Sequence, residues 1–286
     1  MLEASYTDAY GLRTRYYEAG DPAKPAIVLI HGGEPGQHPA ADTWRWNIEP
    51  LGEQFHVLAP DRACAGYTEN FSDPSRLRIG NICDHFAAFL DDRGVTNAVL
   101  VGQSRGGFVA LEIARRRPDL MRALVLTNSA SIAPRYSAWQ HREDFGDMLG
   151  GPENLRHDLE WLTVVHRQFS DEYIAEVTEM LSIDAAVEAR RMHAAVASDY
   201  FADFEATKQA LVEWLRAGAF DKPALLVWGA DDPMTYLDDA MEIFGLVRAA
   251  SPHARMHLIS ECGHSPFAEY SDEFNALVTL FVSSLR

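Results

Sequence analysis

Short apolar runs recur along the chain and predict buried strands. Runs without polar alternation are typical of parallel strands that helices cover on both faces. Between two of them, apolar residues recur at helical spacing from Ile79 to Leu90, which predicts a helix that ends near Gly94. This alternation predicts an α/β fold with a mostly parallel central sheet and helices on both faces. The predicted strands are 26–30, 56–59, 98–101, 123–126, 224–228 and 256–259, and two further helices are predicted over 104–117 and 272–285.

One long segment, 133–218, interrupts the alternation. It has no convincing buried strand and several helical stretches rich in aromatic and acidic residues. We therefore predict a helical cap inserted into a core formed by 1–132 and 219–286, lying over the carboxyl ends of the strands, where open α/β sheets bind ligands. The alternative is that the aromatic residues form only a small core of the insertion. They are Trp139, Phe145, Trp161, Phe169, Tyr173, Tyr200, Phe201 and Trp214.

Composition narrows the classes of partner. The 286 residues include 25 Lys and Arg against 42 Asp and Glu, a net charge of −17, and 47% are hydrophobic, enough for a sizeable core. So acidic a chain repels phosphate backbones and anionic lipid surfaces. We expect a small-molecule substrate, no nucleic acid and no membrane partner, and we leave a homo-oligomer open.

Cysteine usage and the first residues indicate the compartment. Cys64, Cys83 and Cys262 are scattered without a CxxC pair, so neither a disulfide framework nor a zinc site is predicted. The first twenty residues carry charges where a signal peptide needs an apolar segment. We expect a cytoplasmic protein without metal or cofactor.

The sequence GQSRG, residues 102–106, carries the strongest chemical signal. It follows the predicted strand 98–101 and opens a predicted helix, as the G-x-S-x-G motif requires. In such a sharp turn Ser104 has a strained backbone, and glycines two positions to either side let strand and helix pass closely. We predict that Ser104 is a nucleophile, against the alternative of a loop serine that matches by chance.

A serine nucleophile needs a base, and the base needs an orienting acid. His264 follows the predicted strand 256–259 after a short turn, so it should lie at the carboxyl edge of the sheet. Asp231 and Asp232 come just after the strand 224–228. Sequence position alone does not choose between these two acids.

Two N–H donors should stabilise an oxyanion. One is the backbone N–H of Arg105, directly after the nucleophile, and the other should come from the loop HGGEPG after the strand 26–30. Gly33 is the first candidate in that loop, with Gly32 and Glu34 as alternatives. The same glycines would also suit a tight turn with no role in chemistry.

Several motifs together resemble the α/β-hydrolases over nearly the whole chain. They are HGGEPG, DRACAG, GQSRGG, WGADD and CGHSPFAEYSDEFN. The resemblance implies an α/β-hydrolase fold with a cap and a Ser-His-Asp triad. In that family the acid is usually the fourth residue of the WGxxD-like stretch, counted from its Gly, which places it on Asp232 rather than Asp231.

Within that family the chain is most similar to the meta-cleavage product hydrolases. Those enzymes hydrolyse a carbon–carbon bond in vinylogous 1,5-diketones, which form when a dioxygenase opens a catechol ring. The similar features are HGG-x-PG, the ending CGH followed by an acid and DEFN, and the cap stretch VEARRM. The last implies that Arg190, with Arg191 as runner-up, contacts the dienoate carboxylate.

Four residues near the expected reacting centre depart from that subfamily and bear on the substrate. Arg105 and Arg190 offer cations in an acidic protein, which favours an anionic substrate such as a dienoate. The alternative for each is an ordinary salt bridge. Gln103 replaces an Asn, Arg105 a hydrophobic residue, Ser265 a Trp and Glu34 a Gly, and the expected substrate-binding residues are Gly32, Glu34, Gln103, Arg190, Arg191 and Ser265.

The sequence thus predicts a serine hydrolase that cleaves a carbon–carbon bond of a ring-fission diketone or dienoate. A carboxylesterase or lactonase is the main alternative. A ligand receptor, or a cofactor-free oxygenase or haloperoxidase, on the same scaffold is a third hypothesis. The three differ in whether a coloured dienoate, a simple ester or neither is turned over.

Overall fold

The computed structural model describes residues 3–135 and 151–285, and its centre is an eight-stranded sheet. The strand order is β1-β2-β4-β3-β5-β6-β7-β8. β1 and β2 pair antiparallel with their neighbours, and the other six strands run parallel. The strands are β1 Ser5–Ala9, β2 Leu12–Ala19, β3 Ala26–Ile30, β4 His56–Pro60, β5 Ala98–Gln103, β6 Met121–Thr127, β7 Ala224–Gly229 and β8 Arg255–Ile259.

Helices connect these strands. The longest, α6, is kinked at Val196, where the backbone leaves helical geometry. Within the described residues the helices are α1 Ile48–Gly52, α2 Ile79–Asp92, α3 Arg105–Arg116, α4 Leu155–Leu162, α5 Asp171–Ser182, α6 Asp184–Arg216, α7 Leu237–Ala250, α8 Pro266–Glu269 and α9 Ser271–Ser283.

All six strands predicted from apolar runs are present, as β3 to β8, and the predicted α/β fold is confirmed. Two hydrophobic clusters explain the runs. Along β3, Val28 and Ile30 belong to one cluster, and Ile27 and Leu29 belong to the other. Successive strand residues point to opposite faces, so a sheet covered on both faces needs apolar residues at every position.

The N-terminal hairpin, β1 with β2, was not predicted. β1 reads SYTDA and is mostly exposed, and β2 reads LRTRYYEA, with polar residues between its apolar ones. β1 is the edge strand, β2 lies between β1 and β4, and both make only antiparallel pairs. An edge hairpin with one solvated face carries no continuous apolar run, so the pattern of apolar runs does not indicate it.

Between β6 and β7 the described part of the chain contains helices and no strand. α4, α5 and α6 occupy this stretch. The inserted cap, with its bounds 133 and 218, stays a prediction. Trp139 and Phe145, which belong to the predicted cap, lie outside the described residues.

The aromatic residues of this insertion divide between two cores. Phe169 and Tyr173 pack in a small cluster formed largely by α4 and α5. Tyr200 and Phe201, on α6, join the main cluster on one face of the sheet. The alternative of a separate small core therefore describes the first pair only, and α6 is continuous with the central core.

Close backbone approach at the turn after β5 requires glycine. A Cβ atom on Gly102 would lie 2.5 Å from the Cα of Gly107, and one on Gly106 would lie 2.1 Å from the carbonyl oxygen of Ile30. Real Cβ atoms do not approach backbone so closely. The glycines therefore let β3, β5 and the first turn of α3 meet at one point.

Two further properties concern the rest of the chain. None of the described helices is long and apolar enough to cross a membrane. Cys64, Cys83 and Cys262 are buried, and none forms a disulfide.

The contact at Gly106 generates a stability prediction. Gly106→Ala places a methyl group against the carbonyl of Ile30, so we expect the free energy of unfolding to fall by about 3 kcal/mol. Gly245→Ala is the matched control, because Gly245 lies inside α7 with no atom within 4 Å of its ideal Cβ. It should stabilise the fold by roughly 0.5 to 1 kcal/mol. Urea unfolding measures the free energy of unfolding of both variants. If Gly106→Ala lowered it by less than a typical surface substitution does, the close approach at Gly106 would be contradicted.

Candidate active site

Ser104 lies in a strained turn between β5 and α3. Its φ of 51° and ψ of −123° are unusual for a residue with a side chain. The turn is held on both sides, since the Ser104 N–H donates to the carbonyl of Thr127 at 3.0 Å and the Ser104 carbonyl accepts from the hydroxyl of Ser129 at 2.6 Å. The half-buried Ser104 side chain stands at the N-terminus of α3, where the helix dipole favours negative charge.

His264 and Asp232 are brought together at the same edge of the sheet. Asp232 follows β7 and His264 follows β8, and the imidazole Nδ1 lies 2.7 Å from the Asp232 Oδ2. Both residues are buried. Among the described residues, no hydrogen bond joins the imidazole to the hydroxyl of Ser104. Asp231 is exposed, and its carboxylate accepts the backbone N–H of Glu261 at 2.8 Å. The structure therefore separates the two candidate acids, and Asp232 is the one that contacts His264.

His264 and the hydrogen bonds to Asp232 favour its ionised form. Burial raises the pKa of this carboxyl, but His264 and the side chains of Thr235 and Asn128 lower it more, so the pKa lies below the ordinary value of 3.8. Asn128 Nδ2 donates to Oδ2 at 2.6 Å, and the N–H of Met234 donates to Oδ1 at 2.8 Å. An ionised carboxylate only accepts, so the Nδ1 of His264 carries a proton, and in the neutral ring Nε2 is left as the basic nitrogen.

The backbone on both sides of His264 is held by a buried carboxylate. Glu269, only 1% exposed, accepts the N–H groups of Gly263 and Ser265. Glu269 also accepts the backbone N–H groups of Val164 and Val165. The carbonyl of Leu162, two residues earlier, accepts the N–H of His264 at 2.7 Å. Glu269 thus ties the histidine loop to the insertion. The half-buried Ser265 is anchored here through its backbone, and a contact of its side chain with substrate stays a prediction.

The loop after β3 presents its N–H groups unequally. The N–H of Gly32 donates to Oε1 of Gln103 at 3.0 Å, so Gly32 is wrong as an oxyanion donor, and Gln103 holds the loop through this oxygen. Gly33 has a φ of 78°, and its N–H makes no hydrogen bond with any residue in 3–135 or 151–285. Gly33 therefore remains the first candidate from this loop.

Two of the four departures contact each other. The carboxylate of Glu34 forms an ion pair with Arg105 and accepts the hydroxyl of Tyr200 at 2.8 Å. Burial raises the pKa of Glu34, but the charges of Arg105 and His193 and the hydrogen bonds to the carboxylate outweigh it, so the pKa is lowered. The guanidinium of Arg105 also lies 4.1 Å from the ring of Phe204. The expectation that the side chain of Arg105 offers a cation to the substrate needs correction, because Glu34 already balances its charge.

The two arginines of VEARRM point in different directions. Nη1 of Arg190 donates to the carbonyls of Gly36 at 2.7 Å and Leu181 at 2.9 Å, so Arg190 holds α6 against the loop after β3. Arg191 is exposed and pairs with Glu188 one turn earlier on the same helix. Consecutive residues of a helix lie about 100° apart around its axis. The runner-up role for Arg191 is therefore wrong, and Arg190 is the one beside the site loop.

Sequence reasoning did not single out several residues that hold this site. Asn128 and Thr235 follow β6 and β7, and Glu269 is the first of the three acids in CGHSPFAEYSDEFN. Arg62, in DRACAG, hydrogen-bonds to the loop that contains Gly33. Position at the carboxyl end of a strand was the available signal for Asn128. Within residues 3–135 and 151–285, no group of three or more His, Cys, Asp or Glu side chains is placed to hold a metal ion.

Known proteins are similar in sequence to most of this chain. A family model described as alpha/beta hydrolase fold matches residues 25–270. The chain is 28% identical over 285 residues to 2-hydroxymuconate semialdehyde hydrolase of Pseudomonas sp. (strain CF600), and the match covers 96% of this chain and 92% of that protein.

Solved structures share the fold. One is 2-hydroxy-6-oxo-6-phenylhexa-2,4-dienoate hydrolase from Rhodococcus sp. strain RHA1, with a TM-score of 0.80, 22% identity and 99% of each chain covered. Another is a putative lipase from Acinetobacter baumannii AYE, with a TM-score of 0.83, 19% identity, and 99% of this chain and 92% of that chain covered. At these identities the likeness establishes the fold alone.

The environment of Asp232 generates a titration prediction. Thr235→Val removes one donor to the carboxylate, so the pKa of Asp232 should rise from its lowered value. Because the folded-state pKa lies below the unfolded one, ionised Asp232 contributes stability that is present above pH 3.8 and lost as pH falls through the folded-state pKa. The variant should have less of this stability at neutral pH. Carboxyl ¹³C chemical shifts between about pH 2 and 6 measure the pKa.

The control for this titration is Thr96→Val, at an exposed threonine. It should leave the pKa of Asp232 unchanged. An unchanged pKa in Thr235→Val would mean that the hydroxyl does not support the ionised form.

Proposed function

This chain belongs to the alpha/beta hydrolase fold family, and we propose that it is a serine hydrolase of ring-fission products. Ser104 is the nucleophile, His264 the general acid and base, and Asp232 the acid that orients the imidazole. The observation that carries the proposal is the buried contact of 2.7 Å between His264 and Asp232, at the sheet edge where Ser104 stands in its strained turn.

The names of the relatives support the proposed substrate class. The relative from Pseudomonas sp. (strain CF600) is named a 2-hydroxymuconate semialdehyde hydrolase, and it matches this chain over 96% of its length. A relative from Metapseudomonas resinovorans, 27% identical, is named for a substituted hexa-2,4-dienoic acid. We infer hydrolysis of a carbon–carbon bond in a vinylogous diketone that carries a carboxylate.

The first chemical step on such a substrate is a proton transfer. The dienol must become a ketone before its carbon–carbon bond can break, because only the ketone accepts the electron pair of that bond. The Nε2 of His264 is suited to move this proton, since Nδ1 is engaged by the ionised Asp232. Asp232 stays ionised and stabilises the imidazolium that forms.

The second step is attack by Ser104 on the other carbonyl. A bond forms from Oγ to the carbonyl carbon, and the hydroxyl proton passes to His264. The N–H groups of Gly33 and Arg105 receive the oxyanion. As the carbonyl re-forms, the carbon–carbon bond breaks, its electron pair passes along the conjugated chain to the ketone oxygen, and the resulting enolate oxygen takes the proton from His264. Water then hydrolyses the acyl group from Ser104, with His264 again as base.

The insertion, residues 133–218, acts in this proposal as a cap that supplies a substrate contact. Arg190 uses Nη1 for the carbonyls of Gly36 and Leu181. Among the described residues no acceptor occupies its Nε or Nη2, so these nitrogens are left for the substrate carboxylate. A guanidinium fixed through one nitrogen is already oriented when the anion arrives.

Hydrolysis of an ester or lactone is the second candidate. The observation that favours it is the ion pair between Glu34 and Arg105, which leaves no net positive charge from Arg105 beside the nucleophile. A neutral substrate needs no cation there, and it needs no ketonisation step. Turnover of a coloured dienoate against nitrophenyl esters and lactones separates the two candidates, because a dienoate hydrolase bleaches its substrate and releases a carboxylic acid.

Substitutions of the triad test the proposal. Ser104→Ala should lower kcat by roughly 10³-fold or more with the fold intact, because triad members act as a unit. Asp232→Asn should be severe, since an amide no longer holds the tautomer of His264. Asp231→Asn is the matched control and should be mild. Steady-state kinetics and circular dichroism measure both effects, and the reverse order of the two aspartates would refute the assignment.

Arg190 gives a prediction about substrate charge. Arg190→Ala should lower kcat/KM at least tenfold more for a dienoate than for a neutral nitrophenyl ester, because only the former carries the carboxylate. Arg191→Ala, at the exposed neighbour paired with Glu188, should change neither. Equal losses on both substrates would discard the role of Arg190.

A further inference from the structure

Arg62 grips the loop that contains Gly33. Its side chain is buried, with only 2% of the residue exposed. A single nitrogen, Nη2, donates to the carbonyl of Gly32 and, at 2.6 Å, to the carbonyl of Gly33. Two successive carbonyls reach one nitrogen where Gly33 has a φ of 78°, a left-handed conformation that favours glycine.

A neutral histidine supports the same carbonyl. The backbone N–H of Arg62 donates to Nε2 of His31 at 3.0 Å, so Nε2 of His31 carries no proton. Burial places the pKa of His31 well below its ordinary value, and the ring is neutral. Its proton is therefore on Nδ1, which donates to the carbonyl of Gly32 at 2.9 Å. The carbonyl of Gly32 thus has two donors, and its N–H is engaged by Gln103.

Because peptide groups are planar, the hydrogen bonds from Arg62 to the two carbonyls also fix the directions of the N–H groups of Gly33 and Glu34. In a trans peptide the C=O of one residue and the N–H of the next point in opposite directions within one plane. The only cis bond in the described residues is between His38 and Pro39, so the peptides after Gly32 and Gly33 are trans. Fixing their carbonyls on Arg62 consequently fixes the N–H groups of Gly33 and Glu34 on the side away from the guanidinium.

The loop lies directly against the nucleophile. A Cβ atom on Gly32 would be 2.7 Å from the Cβ of Ser104 and 2.4 Å from the side-chain oxygen of Gln103. The peptide plane that Arg62 holds is therefore next to the turn that presents the reacting hydroxyl.

Stability alone does not explain a charge at this position. Nε and Nη1 of Arg62 are buried and have no hydrogen-bond partner among the described residues. Burying a cation with unsatisfied donors is unfavourable, and a well-packed apolar side chain is often the more stable choice. Burial also lowers the pKa of Arg62, and the carboxylate of Glu34 offsets part of this. The charge is retained where it contacts two carbonyls of the site loop.

We propose that Arg62 is a positioning residue that sets the oxyanion donors: by holding the carbonyls of Gly32 and Gly33, it orients the N–H groups of Gly33 and Glu34 toward the oxygen that becomes charged. When the carbonyl of a peptide group is hydrogen-bonded to a cation, the N–H of the same peptide group is polarised and donates more strongly. The inference rests on the proposed function, since it needs Ser104 to form a tetrahedral adduct.

Benzeneboronic acid tests the inference without turnover. Its boron accepts a bond from Oγ of Ser104, the hydroxyl proton passes to His264, nothing is released, and an oxygen of the anionic tetrahedral boronate occupies the oxyanion position. We expect Arg62→Gln to bind this acid roughly 10²- to 10³-fold more weakly than the wild type, as for loss of an oxyanion donor. Arg62→Lys, which keeps the charge, should lose about tenfold. KM should change far less than kcat in both variants, because the donors act on the transition state.

Arg15→Lys is the matched buried control. Nε and Nη2 of Arg15 donate to Asp61 at 2.7 and 2.9 Å and not to the carbonyls of Gly32 and Gly33. This variant should lose stability but bind the boronate within about threefold of the wild type. Equal boronate affinity of folded Arg62→Gln and wild type would overturn the positioning role. If the wild type does not bind, or Ser104→Ala binds equally well, the proposed function itself fails.

A structure of the wild-type adduct decides the matter if the Arg62 variants do not fold. The boronate oxygen should lie within hydrogen-bonding distance of the N–H of Gly33 or Glu34, with Nη2 of Arg62 still on both carbonyls. An adduct oxygen bound by neither N–H group, or carbonyls that have left Arg62, would overturn the inference.

Discussion

The left-handed turn at Ser104 is the constraint on which the rest of this molecule depends. The turn lies where β3, β5 and α3 approach so closely that there is no room for a Cβ atom at positions 102 and 106. Glycine at both positions makes this approach possible. The close approach lifts one hydroxyl above the sheet at the start of a helix. It also places the loop after β3 against the same hydroxyl, since Gly32 abuts Ser104. The strain of the turn is balanced by hydrogen bonds from β6 and the loop that follows it, which belong to the core of the fold.

Around this turn, buried charges hold main-chain groups. Glu269 accepts N–H groups on both sides of His264 and from the insertion. Arg62 donates to two carbonyls of the loop after β3. Asp232 accepts backbone N–H groups of its own turn as well as the imidazole. Charge-assisted hydrogen bonds are stronger than neutral ones, so each of these side chains can fix the backbone of a loop. The reacting groups are thereby preorganised before a substrate binds.

Two of the four residues that depart from the motifs of the resembled subfamily act as a linked pair. Glu34 and Arg105 appear together as an ion pair, and Tyr200 extends the pair to the insertion. Either charge alone at this depth would be costly, whereas the pair is tolerated. The buried side chain of Gln103 also has a partner within the protein, because its Oε1 accepts the N–H of Gly32. The charges of Glu34 and Arg105 are thus balanced within the protein.

The hydrophobic periodicity and the motifs of the sequence were sufficient to predict the fold of this protein. The six parallel strands were predictable because burial on both faces demands continuous apolar runs, and the expected fold family is confirmed by the match over residues 25–270. Ser104, His264 and the pair Asp231 and Asp232 were predictable because each follows a strand at its carboxyl end, and the choice of Asp232 within that pair came from the family resemblance. The hairpin of β1 and β2 was not, since an edge strand needs no apolar run. Only the tertiary structure separated Arg190 from Arg191, paired Glu34 with Arg105 and brought Arg62 to the loop after β3. Those outcomes depend on distances between residues far apart in the chain, which neither spacing nor residue type records.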